Sequence, residues 1–122
     1  MNIVVYHLEL NGYISEQLQA VSPLLGVEDA QRYSSFSKTE DKIRFLAGRY
    51  LLALLLRRHG FSVSALTDIK VDSFMRPVLR GATFSVSHSG QHVGVAFSKQ
   101  VCMLGVDIEE IKPVNIEEYL AI

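Results

Sequence analysis

A single cysteine, Cys102, leaves no partner for an intrachain disulfide and no cysteine-rich metal centre. It falls in an apolar run, where a buried structural thiol is expected rather than a nucleophile. Charge of one sign is also missing. Twelve Lys and Arg face thirteen Asp and Glu, a net charge of -1, so no bulk basicity draws the chain to nucleic acid or to an anionic membrane. Long apolar runs are scarce as well. The most hydrophobic stretch, YLLALLL at 50–56, is far too short to span a bilayer and closes on RRHG. The opening MNIVVYHLEL has neither a basic leader nor a continuous apolar core, so a signal peptide is not expected. A cytoplasmic protein with no nucleic-acid partner and no membrane partner is expected.

What is present suits one soluble domain. The chain has 122 residues, 48% of them hydrophobic and 20% charged, enough to bury a core. Residues 1–122 read as a single unit without linker, repeat or low-complexity segment. Residues 2–10 have strand composition, with apolar side chains dominating both faces. Residues 15–35 predict two short helical pieces interrupted at Pro23 and Gly26. Ser37 and Glu40 have capping-box spacing. After them Ile43, Leu46, Ala47, Tyr50, Leu51, Leu54 and Leu55 recur every three or four residues, which predicts a long core helix. Arg57, Arg58 and His59 suit its last turn and Gly60 its stop. Arg44 and Arg49 interrupt its polar side, and solvated surface is their expected place.

Runs at 83–88, 92–98 and 101–109 read as strands joined by short turns, an antiparallel meander. The fold class is therefore α+β: a small antiparallel sheet packed against a long helix.

Three short stretches carry chemistry. In the run 101–109 Cys102, Leu104, Val106 and Ile108 alternate on an apolar face, and Gly105, Asp107 and Glu109 share the other. Side chains two apart on a strand point the same way, about 7 Å apart at the backbone. Asp107 and Glu109 can thus converge on one hard cation such as Mg²⁺. Solvated charges at a strand end are the commoner meaning of such a pair. In FSVSHSG, Ser87 and His88 offer hydroxyl and imidazole donors, and Gly90 permits close approach of a ligand to the main chain. An ordinary turn histidine fits the same letters. In SFMRPVL, Pro77 holds Arg76 extended, which aims a guanidinium suited to phosphate, although an exposed loop arginine fits equally.

The order of these pieces is more specific than any one of them. A basic residue four before Phe36, a long helix containing LAGR, then RP, SVSHSG and GVDIE resembles the N-terminal half of the 4'-phosphopantetheinyl transferases, long-chain type. The resemblance covers nearly the whole chain and implies the fold of one of that family's two similar subdomains. It implies transfer of the 4'-phosphopantetheine arm of coenzyme A to a serine of an acyl or peptidyl carrier protein. It further implies that Asp107 and Glu109 hold Mg²⁺, that His88 with Ser87 contacts the phosphates, that Arg76 before Pro77 holds the adenine-nucleotide end, and that Arg32 grips a coenzyme A phosphate. Asp107, Glu109 and His88 would form the catalytic set. The family often has Asn at the place of Ser85 and Gly at the place of Met75. Its members continue into a second half bearing a W-x-x-K-E-x-x-x-K helix, whereas this sequence reaches only IEEYLAI and contains no tryptophan. A half of the enzyme is expected, with the C-terminal half absent: either an active transferase half, an inactive coenzyme A-binding half, or a module that forms a homodimer or pairs with a separate C-terminal half.

Overall fold

The computed structural model describes residues 3–11 and 15–99. The expected strand at 101–109, and with it Cys102, Asp107 and Glu109, lies outside the described residues. Strand β1 spans Val4–Glu9, helix α1 Ser15–Gln19, α2 Val27–Ser35 and α3 Thr39–Arg58. Strands β2 (Lys70–Val71) and β3 (Pro77–Val78) form a small hairpin, followed by β4 (Thr83–Ser89) and β5 (His92–Ser98). The class is α+β, with an antiparallel three-stranded sheet packed on α3. Among the described residues no helix is long and apolar enough to cross a membrane.

The sheet runs β1-β5-β4, so β5 is central. This corrects the meander in part. β4 and β5 are neighbours as expected, but β1 takes the second edge of β5, in register from Val4 opposite Phe97 to Glu9 opposite His92. Alternation gives β1 one inward face, Val4, Tyr6 and Leu8, while Val5, His7 and Glu9 are exposed; it does not bury both faces. On β5, Val93, Val95 and Phe97 enter the core, and Gly94, Ala96 and Ser98 are buried too.

Helix α3 is buried more completely than an amphipathic stripe requires. Leu52, Ala53 and Leu56 join Leu46, Ala47, Leu51 and Leu55 in the core. The sheet lies on one side of the helix; α1, α2 and a short turn of tighter helix at Val63–Asp68 touch it elsewhere. An all-round apolar segment such as YLLALLL belongs in such a central position. Each leucine fully buried there is worth roughly 1.5–3 kcal/mol.

The two ends of α3 are held differently. At the C-terminus Gly60 adopts φ +86°, the Gly60 N–H donates to Arg57 O at 3.2 Å, and the Phe61 N–H donates to Leu56 O at 2.9 Å. These paired bonds are the Schellman stop that Gly60 foreshadows. At the N-terminus the capping box does not form. Lys38 is the N-cap, without a side-chain cap, and its carbonyl accepts from the Lys42 N–H at 3.2 Å. Ser37 falls one residue short of the cap position. The end is instead tied to α2 by Lys42, whose Nζ donates to Tyr33 O at 3.0 Å and lies over the Tyr33 ring.

Gly26 precedes α2 and packs against the Thr67 backbone, where an added Cβ would collide with the carbonyl. Backbone atoms cannot swing aside as a flexible side chain can. Gly26→Ala should therefore lower stability by about 1–3 kcal/mol in urea unfolding; an unchanged midpoint would show that this contact is slack.

Candidate functional site

Four elements enclose one cleft of about 720 Å³. Arg32 comes from α2, Arg44, Phe45 and Arg49 from α3, Arg76 and Pro77 from the β2–β3 hairpin, and His88 from the end of β4. Of the residues expected at a phosphate site, Arg32, Arg76, Pro77 and His88 all line it. Ser87 does not. It stands opposite Gly94, whereas His88 stands opposite Val93, so the two occupy opposite faces of the sheet. The cleft is therefore reached by His88, while Ser87 is turned to the other side of the sheet and cannot share a ligand there with it. Asp107 and Glu109 lie outside the described residues. Among the described residues no group of three or more His, Cys, Asp or Glu comes together to hold a metal ion.

Arg49 is the residue that the sequence misplaces most. It is 3% exposed, not solvated. Its Nε donates to Asp29 Oδ2 at 2.6 Å and its Nη2 to Asp29 Oδ1 at 3.1 Å, a two-pronged pair inside the protein. The guanidinium also lies 4.7 Å from the Phe45 ring centroid and 5.5 Å from that of Phe84. Both the paired charge and the flat cation over aromatic faces suit arginine where lysine would not. The signal for this was faint: an arginine between Gly48 and Tyr50 invites suspicion, but its partner twenty positions upstream is invisible in one dimension.

Arg44 is half-buried. Its Nε donates to the Gly90 carbonyl at 3.2 Å and its Nη1 to Asp41 Oδ1 at 3.1 Å. The freedom of Gly90 therefore serves a two-residue hairpin turn at φ +55°, and its carbonyl is engaged by α3. Close packing of α3 on β4 lets this happen. Gly48 faces Val86, where a Cβ would stand 2.9 Å from Cγ1.

Arg76 is aimed by more than Pro77. Asp72 opens the loop and accepts on Oδ1 from the Phe74 and Arg76 N–H groups, both at 2.9 Å. Its Oδ2 accepts from Arg76 Nε at 3.1 Å. An Asp at the start of a tight loop is the usual device for this. Met75 closes the turn at φ 63°, a left-handed conformation that favours glycine and that Met75 adopts only with strain. The Arg76 side chain remains 65% exposed, and neither of its terminal amino groups has a partner among the described residues.

Arg32 is exposed, with no carboxylate partner among the described residues, and lies 5.9 Å from the Phe45 centroid. His88 is exposed at the cleft edge. The wall thus offers four arginines and an imidazole against Asp41 and Asp72, with Asp29 behind Arg49. Each paired arginine keeps N–H groups that its carboxylate does not use. Such a surface can receive a phosphate or pyrophosphate by charge-assisted hydrogen bonds. It holds no nucleophile–base pair among the described residues.

Two outcomes follow from these bonds. Asp29→Ala strands a buried guanidinium and should cost about 3–5 kcal/mol in urea unfolding, with most of it recovered in the double variant Asp29→Leu/Arg49→Met. The Arg76 N–H, chiefly, and the Phe74 N–H hold the Asp72 carboxyl below its ordinary value of 3.8. The loop tie is therefore complete above that value and is lost as pH falls through the lower folded one. In NMR the Phe74 and Arg76 amide shifts should titrate with a midpoint under 3.8; a midpoint at or above it contradicts the tie.

Compared with known proteins, the chain matches no protein-family model and no curated protein.

Proposed function

We propose that the cleft binds the phosphates of coenzyme A and that the chain is one half of a 4'-phosphopantetheinyl transferase. The observation that carries this is the convergence of Arg32, Arg76 and His88, from three separate stretches of sequence, on one cleft. Nothing in the length of chain between them requires it. Arg76, with both terminal amino groups available, takes a phosphate in fork fashion. Arg32, across the cleft wall on α2, supplies a cation not already neutralised among the described residues. His88 donates from the opposite edge. Arg44 and Arg49 add a positive floor whose geometry is fixed before any ligand arrives, which lowers the ordering cost of binding.

In the full proposal a carrier-protein serine is the acceptor. Asp107 and Glu109 are assigned to Mg²⁺ by resemblance, where the ion would neutralise charge on the leaving phosphate. The described residues supply binding groups only.

The test is calorimetric titration of coenzyme A into the chain, with and without Mg²⁺. Arg32→Ala and Arg76→Ala should each weaken binding about tenfold, as expected for loss of a charge-assisted bond near the surface. Affinity unchanged in both variants removes the cleft from consideration. Incubation with coenzyme A, Mg²⁺ and an apo carrier protein, read by mass spectrometry, then separates the two activities. Added phosphopantetheine supports the transferase; binding without transfer leaves a coenzyme A-binding half.

A further inference from the structure

The face of the sheet turned away from α3 bears a pair of histidines. His7 on β1 stands opposite Gly94, and His92 on β5 stands opposite Glu9. Paired residues share a face, and so do residues two apart on a strand. His7, His92 and Glu9 are therefore on one side, with Val5 and Ala96. His88, opposite Val93, is on the other. Gly94, across from His7, carries no side chain, and the imidazoles of His7 and His92 lie against each other on this face. Their ring centroids are 5.1 Å apart with planes 13° from parallel. His7 Nε2 lies 3.0 Å from His92 Nδ1.

That separation matters. Two nitrogens bound to one tetrahedral zinc at about 2.0–2.1 Å each stand about 3.3 Å apart. The observed 3.0 Å is within a few tenths of that spacing; the two nitrogens face each other as placed, so both rings turn about their side-chain bonds to aim at a common ion. Both rings are reached from solvent, since His7 is exposed and His92 half-buried. They are held on strands paired along their whole length, so the backbone needs no rearrangement.

We propose that His7 and His92 bind one divalent transition-metal ion of the zinc and copper class. Imidazole nitrogen suits such ions, whereas the oxygen-seeking Mg²⁺ would gain little here. The ion takes the place of the N–H between the rings; the donating imidazole then carries its proton on its other ring nitrogen, so that both rings bind as neutral ligands. Among the described residues no third ligand joins them as placed, so water fills the remaining positions. Glu9 Oε1 meanwhile accepts from Asn11 Nδ2 at 2.8 Å. Bound there, the ion links β1 to the central strand, and a ligand that prefers the folded state raises its stability. This site is independent of the phosphate cleft, which opens on the opposite face.

The test adds Zn²⁺ to the metal-free chain and follows thermal unfolding. The midpoint should rise in the wild type and in His88→Ala, and the rise should be lost in His7→Ala and in His92→Ala. No rise in the wild type, or a rise that survives in either variant, overturns the proposal. A measurement on the wild type alone guards against variants that fold poorly. Substoichiometric Cu²⁺ should broaden the imidazole NMR signals of His7 and His92 while sparing His88 and His59. Broadening that begins at His88, or falls evenly on all four histidines, also overturns it.

Discussion

The buried pair between Arg49 and Asp29 is the constraint on which the cleft depends. Helix α2 is short and polar, and Asp29 is its sole buried residue. Hydrophobic burial therefore contributes little to fixing its position. What fixes it is the two-pronged bond to α3, together with the Tyr33 ring against Phe45 and the Glu28 carboxylate, which accepts from the Val71 N–H. The last of these also fastens the β2–β3 hairpin to α2. Arg32 and Arg76, on two elements with small cores of their own, are thus registered to α3 through polar bonds. Such bonds are directional, and removal of one partner leaves the other unsatisfied in a dry environment.

Aromatic packing works alongside the charges. Phe45 lies beneath the guanidinium of Arg49, near that of Arg32, and between the rings of Tyr33 and Phe36. A ring face tolerates a cation without demanding a counter-charge. This allows two arginines to stand near each other with a single carboxylate, Asp29, between them and neutrality. Among the described residues the cleft lining keeps a modest positive excess instead of cancelling it.

Much of the framework was legible in the letters. The length of α3 followed from its apolar spacing, and its end from Gly60, because both are local rules. The hairpin of β4 and β5 followed from alternation around Gly90. The failures are of another kind. Ser37 and Glu40 have the right spacing for a cap, yet the short link between α2 and α3 shifts the helix start past Ser37, and Lys42 holds the junction instead. The place of β1 beside β5 is a long-range pairing that no local pattern encodes. Arg49 was misjudged because its solvation depends on Asp29, which is remote in sequence. Motif order singled out His88 and Arg76, and both line the same cleft. The separation of Ser87 from His88 follows from strand alternation alone, and a shared role for the two conflicts with it.

The central claim is that the face of the sheet toward α3, and not its reverse, receives a phosphorylated ligand. NMR shift mapping during addition of coenzyme A addresses it directly. The account predicts shifts concentrated at Arg32, Arg44, Arg76 and His88, with His7 and His92 unmoved. Shifts confined to the histidine pair on the far face, or none at saturating ligand, would contradict it.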